Sequence, residues 1–136
     1  MLATSETVGI RESRRVVGEY VLTHGDLIES REFDDAVVVL ANSVDVHTSG
    51  PVKYTPFSND KPYTIPYRAL VAKDFDNVLT AGKSVSADRM AQGAVRVVPP
   101  AVAMGEAAGL AAAIAANENI NAKDVPVGKL RTGLDI

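Results

Sequence analysis

The chain has 136 residues with a formal net charge of −3, 46% apolar and 23% charged residues, and no cysteine. That length suits one domain able to bury a core without covalent staples, and the acidic balance lacks the basic footprint of a nucleic-acid binder. The missing cysteines exclude disulfides, thiolate catalysis, iron–sulfur ligation and Cys-based zinc sites within these residues.

The first residues carry no basic stretch followed by an apolar core, so no signal peptide is expected and a cytoplasmic location is. Residues 8–22 interleave valine, isoleucine and tyrosine with charges, which predicts an extended segment with Gly18 permitting a bend. Thr23 followed by Asp26 predicts an N-cap and a short helix over 24–30. The apolar run from Ala36 to Leu40 predicts a strand buried on both faces. Residues 42–66 contain Gly50, Pro51, Pro56, Pro62 and Pro66 and predict a long loop. A strand over 65–72, a turn over 73–76 and a strand over 78–81 follow.

That last strand stops at Gly82. A polar connection over 83–92 leads through Gly93-Ala94-Val95-Arg96 into an alanine-rich helix over 98–116, with Pro99 and Pro100 where a first turn tolerates them. Its length is about 28 Å. Ala101, Gly105, Ala108 or Gly109, and Ala112 form a stripe of small residues across which another backbone can pack closely. Glu106, the prolines and the dominance of alanine favour a buried core helix over a membrane span. A breaker region over 117–121 precedes a last short helix through Leu130, ended by Gly133.

A strand ending in glycine and feeding a helix N-terminus suits an anionic cofactor, because free amides and the helix dipole face the loop. Lys83-Ser84 after Gly82 do not make a phosphate-binding Walker loop, since Asn77 stands where its first glycine is required. Gly-x-Gly-x-x-Gly, the turn that seats a dinucleotide pyrophosphate, occurs nowhere in the chain. No carboxylate and histidine set has metal-ligand spacing, so no metal site is expected.

The stretch NVLTAGKSVSADRMAQGAVRVVPPAVAMGEAAGLAAAIA resembles the C-terminal flavin-contacting segment of FAD-dependent oxidoreductases related to the fumarate reductase and succinate dehydrogenase flavoproteins. GIRESRRVVGEYVLT, VDVH and YTIPYRALV fit the bacterial branch of that superfamily, so the resemblance covers most of the chain. It implies an α/β-type (α+β) fragment. Residues 1–76 would belong to the substrate-side sheet, and residues 77–136 would supply the last strand and long helix of an FAD-binding domain. The function implied is hydride transfer between flavin and a small organic substrate, with FAD held by the longer protein and the cofactor supplying the chemistry.

Residue by residue, Arg96 of Gly-Ala-x-Arg matches the arginine that holds a substrate carboxylate beside the flavin, a role suited to its planar fork. Val97-Val98-Pro99-Pro100 replace the glycines and asparagine of the fumarate reductases, so anion binding carries over and dicarboxylate specificity does not. Gly82, Ser84, Ser86 and Gly93 fall on the cofactor-contacting turn. Pro100 and Ala101 open the helix whose amides would face the flavin's N1–C2=O edge. His47 is a candidate acid or base. Arg14, Arg15, Tyr67 and Arg68 are weaker candidates, and His24 reads as a surface residue at a helix start.

Lacking the glycine fingerprint, the chain alone is expected neither to bind FAD nor to turn over substrate. It is expected to self-associate through surface that an N-terminal FAD-binding portion would cover. Neither nucleic acid nor a membrane is an expected partner. The competing reading is a structural or interaction module, or an anion-binding domain, that keeps the fold without flavin.

Overall fold

The computed structural model describes residues 9–10, 12–46, 53–55 and 61–136. Helix α1 (His24–Ile28) begins at a reciprocal capping box in which the Thr23 hydroxyl accepts from the Asp26 amide and the Asp26 carboxylate accepts from the Thr23 amide. It ends short of residue 30 because Ser30 adopts a left-handed φ of 51°.

Strand β1 (Ala36–Leu40) precedes a short antiparallel pair, β2 (Val44–Val46) and β3 (Lys53–Thr55), inside the stretch expected to be loop. The prolines there flank these strands rather than interrupt them, which hid them from a reading based on breakers. β1 pairs antiparallel with β4 (Tyr63–Pro66), Val38 opposite Ile65 and Leu40 opposite Tyr63, with a bulge between Ala36 and Val38. Ala36, Val37 and Val38 are buried but Val39 is 50% exposed, so only the first part of β1 is covered on both faces. The expected strand over 65–72 is cut at Pro66, where a 3-10 turn over Tyr67–Ala69 takes over. Beyond it, extended segments are joined by single bridges, Gly18 to Ala72, Val71 to Leu79 and Leu22 to Ala87, instead of full ladders.

Helix α2 (Arg89–Val95) takes in the last four residues, 89–92, of what read as a polar connection over 83–92, and runs on through Gly93 to Val95. Asp88 starts it, accepting from the Ala91 amide at 2.7 Å while also accepting from the His24 amide at 2.8 Å, so one carboxylate caps α2 and anchors α1. Helix α3 (Val98–Glu118) follows close to expectation and stops at Asn119, whose φ of 52° supplies a left-handed cap. Helix α4 (Val127–Leu134) runs through Gly133 rather than ending there. A Cβ on Gly133 would lie 2.7 Å from Leu110 Cδ2, so glycine lets α4 approach α3.

The architecture is mixed α/β, with helices set against small two-stranded antiparallel sheets. One core joins Leu22, Leu27, Tyr63, Ile65, Leu70, Val85, Val95, Met104 and Leu130. α3 packs against β1, the turn at Gly82 and α4. Its buried row is Pro100, Met104, Ala107, Ala111 and Ala115. The small-residue stripe expected to meet a neighbouring backbone lies elsewhere: Gly105, Gly109 and Ala112 are exposed, and a Cβ on either glycine meets nothing within 4 Å. Val98 and Val102 are 75% and 64% exposed on the same side. The helix is long and apolar enough to cross a membrane by length and composition, yet most of its residues are not buried. It is therefore covered on one face only, not a fully buried core helix.

Candidate functional site

The turn after Ala81 is set by Gly82, whose φ of +65° is a conformation that side-chain-bearing residues adopt only with strain. It opens a 3-10 turn over Gly82–Ser84. The turn rests on the start of α3, where a Cβ on Gly82 would lie 3.8 Å from Ala101 Cβ. Gln92, fully buried in α2, ties this turn to its own helix: Nε2 donates to the Lys83 carbonyl at 2.5 Å and Oε1 accepts from Arg15 at 2.9 Å. The Gln92 carbonyl in turn accepts the amide of Arg96, the C-cap of α2.

Arg96 ends up with its side chain only 3% exposed and Nη2 3.7 Å from Glu12 Oε1. With Ile10, Lys83, Val97 and Val98 it lines a cleft of about 330 Å³, near the lower end of small-molecule sites. Pro99 and Pro100 lack amide protons, so the α3 N-terminus offers the amides of Val97 and Val98 beside this cleft. Larger cavities lie elsewhere, about 400 Å³ along Leu79, Ala108 and Ala112 and about 560 Å³ beside β1 and Arg131. Neither gathers a buried cation, so the chemistry singles out the Arg96 cleft despite its smaller volume.

The structure thus brings Gly82, Ala101 and Arg96 to one place, together with Lys83, Glu12 and Gln92, which the sequence did not single out. A glutamine in the middle of an otherwise apolar short helix was the signal available for Gln92. Ser84 lies in the same turn, but its hydroxyl is engaged there, bonding Thr80 Oγ1 at 2.9 Å and the Ala81 carbonyl at 3.1 Å. Ser86 is 1% exposed, and its Oγ has no hydrogen-bond partner among the described residues. It lies on a different groove, with Ser13, Arg15, Val17 and Val21. Gly93 is buried within α2 and Pro100 beneath the first turn of α3. His47 lies outside the described residues.

Arg14 is exposed, and the other weaker candidates take structural positions. Tyr67 is buried and donates to the Ala122 carbonyl at 2.6 Å, and burial pushes its phenol up to about 12. Arg68 forks onto Asp35 and lies over the Tyr20 ring. Arg15 donates to Gln92. His24 is half-buried with Nε2 enclosed, not the surface residue expected. Among the described residues no group of three or more histidine, aspartate or glutamate side chains could hold a metal ion.

A protein-family model described as FAD dependent oxidoreductase matches residues 1–134. No curated protein and no solved structure matches the chain.

Proposed function

The chain belongs to the FAD dependent oxidoreductase family, and from that premise we propose that it supplies the flavin-facing and substrate-facing C-terminal part of an enzyme related to the fumarate reductase and succinate dehydrogenase flavoproteins. The observation that carries this reading is the cleft where a deeply buried arginine, Arg96, meets the Gly82 turn and the start of α3. FAD, the cofactor that family membership implies, supplies the hydride chemistry when bound.

The residues of this cleft fit the flavin end of that cofactor. Gly82 has a bare backbone at positive φ, the α3 start presents amides, and Lys83 and Arg96 provide positive charge. They do not fit its pyrophosphate end, for which the chain has no Gly-x-Gly-x-x-Gly turn. In this reading Arg96 orients the acidic group of a small substrate through its planar fork, and Val97, Val98 and Ile10 offer apolar walls to the rest of it. Gln92 holds the Lys83 peptide and the Arg96 helix in fixed relation. The roles of Ser84, Ser86, Gly93 and His47 stay part of the same proposal.

The experiment uses the enzyme carrying its FAD-binding portion. Arg96→Lys should lower turnover severely while flavin absorbance stays near wild type, because a point charge does not replace a bidentate fork. Unchanged turnover removes Arg96 from the mechanism. The 136-residue chain alone, incubated with excess FAD, should remain colourless and associate through the uncovered face of α3. Stoichiometric yellow protein, or a monomer by light scattering, would contradict the corresponding half of that expectation.

A further inference from the structure

We propose that the groove lined by Ser86 and Arg15 is a separate binding site, one that takes a small carboxylate with a short hydrocarbon tail. The groove holds about 260 Å³ between the extended segment of Arg15, Val17 and Val21 and the segment of Ser86 and Ala87. It shares no lining residue with the Arg96 cleft, so the inference does not rest on the function proposed above.

Ser86 supplies the first observation. Its side chain is 1% exposed, and its Oγ has no hydrogen-bond partner among the described residues. A buried hydroxyl left in this state weakens the fold unless something entering the groove completes it. The backbone that presents it is held in place, since the Ser86 carbonyl accepts the Leu22 amide at 3.0 Å.

Arg15 supplies the second. It is an exposed residue, and its Nη1 donates to Gln92 Oε1 at 2.9 Å. Gln92 is fully buried and is itself held on the Lys83 carbonyl. That bond orients the guanidinium while engaging one of its several donors. Among the described residues no carboxylate lies within ion-pair distance of Arg15. One groove is therefore lined by an oriented cation without a counter-ion and by a buried hydroxyl without a partner.

The ligand class follows from that pair and from the walls. A carboxylate offers one oxygen to the guanidinium and the other to the Ser86 O–H. Val17 and Val21, 62% and 45% exposed, give an apolar wall beside them, which suits a hydrocarbon tail. The volume falls below the range of about 300–1,000 Å³ typical of small-molecule pockets, so the acid has only a few carbons.

The test is a titration of the 136-residue chain with butyrate, followed through its ¹H–¹⁵N amide signals, with butyramide as the neutral control. Butyrate should bind in the roughly millimolar range that so few atoms allow, moving the amides of Val17, Val21, Ser86 and Ala87. Butyramide should leave them in place. Ser86→Ala should weaken butyrate binding about tenfold, the worth of a hydrogen bond to a charged group, without lowering the melting temperature. Arg15→Met, its fold checked by the same spectrum, should abolish the butyrate shifts, but the Ser86 comparison decides without it. Unchanged butyrate affinity in Ser86→Ala overturns the proposal, as do equal shifts with butyramide or no shifts at these amides. Shifts confined to Lys83, Val97 and Val98 would put the acid in the Arg96 cleft, overturning this site and leaving the proposed function standing. Unchanged turnover in Arg96→Lys would remove that function's arginine and leave this site untouched.

Discussion

Gly18 and Ser86 are in such close contact that a Cβ on the glycine would fall 2.8 Å from the serine Cβ, with the carbonyl oxygens of Val71 and Ala69 at 3.0 and 3.1 Å. The extended segment carrying Gly18 is thereby pressed onto the segment that continues from the Gly82 turn. Two of the three neighbours are backbone and cannot rotate away. Gly18→Ala should therefore destabilise the chain by about 1–3 kcal/mol through overpacking, despite alanine's gain in the unfolded state. Denaturant unfolding checks this, and a midpoint at or above wild type would show that the two segments are not in contact.

Gly109 is the opposite case. A Cβ there meets nothing within 4 Å, and the residue sits in the middle of α3. Gly109→Ala should raise stability by about 0.5–1 kcal/mol through helix propensity. Gly109→Leu, which the expectation of a packed stripe makes disruptive, should leave the monomer's melting temperature close to wild type. A loss of several degrees would mean that a second chain covers this face under the conditions used.

Asp26 is 5% exposed, and burial by itself would raise its carboxyl. The Thr23 amide and hydroxyl, Tyr20 and Arg31 outweigh that and hold it below the usual carboxylate value. A carboxyl with a lowered folded pKa contributes stability above its unfolded value and loses it as pH falls through the folded one. Asp26→Asn should thus cost about 2 kcal/mol at neutral pH. The gap from wild type should close as pH is lowered below the ordinary aspartate value of about 3.9. A gap independent of pH down to full acid unfolding would show that the charge is irrelevant.

Gln92→Leu removes a buried amide and leaves the Lys83 carbonyl without the bond it receives at 2.5 Å. A loss of about 0.5–1.5 kcal/mol is expected, the net worth of a hydrogen bond whose acceptor belongs to an exposed residue. In the FAD-loaded enzyme the substrate KM should rise as the Gly82 turn and Arg96 lose their fixed relation. Wild-type stability together with wild-type KM would dismiss the coupling.

The sequence by itself determined the local devices. Thr23 followed by Asp26 marks the N-cap of α1, Gly82 marks the end of a strand, and prolines confined to a first turn open a helix that runs from Val98 to Glu118. The resemblance carried by these stretches also led to the family that the chain belongs to. Each depends on residues close together in the chain, which is why each is readable there.

Tertiary structure decided what depends on faces and on long-range partners. α3 is apolar nearly all round, so no periodicity could say that Met104 and Ala107 turn inward while Gly105 and Gly109 turn outward. The β2 and β3 pair needed contacts across a proline-rich stretch, and a strand that reads as continuous over 65–72 became a 3-10 turn at Tyr67 because its amide bonds Asp35 and its hydroxyl bonds Ala122. Glu12 reaches Arg96, and Arg15 reaches Gln92, across 84 and 77 positions of chain. No local pattern encodes such pairs, because only the folded backbone sets the distance between their charges.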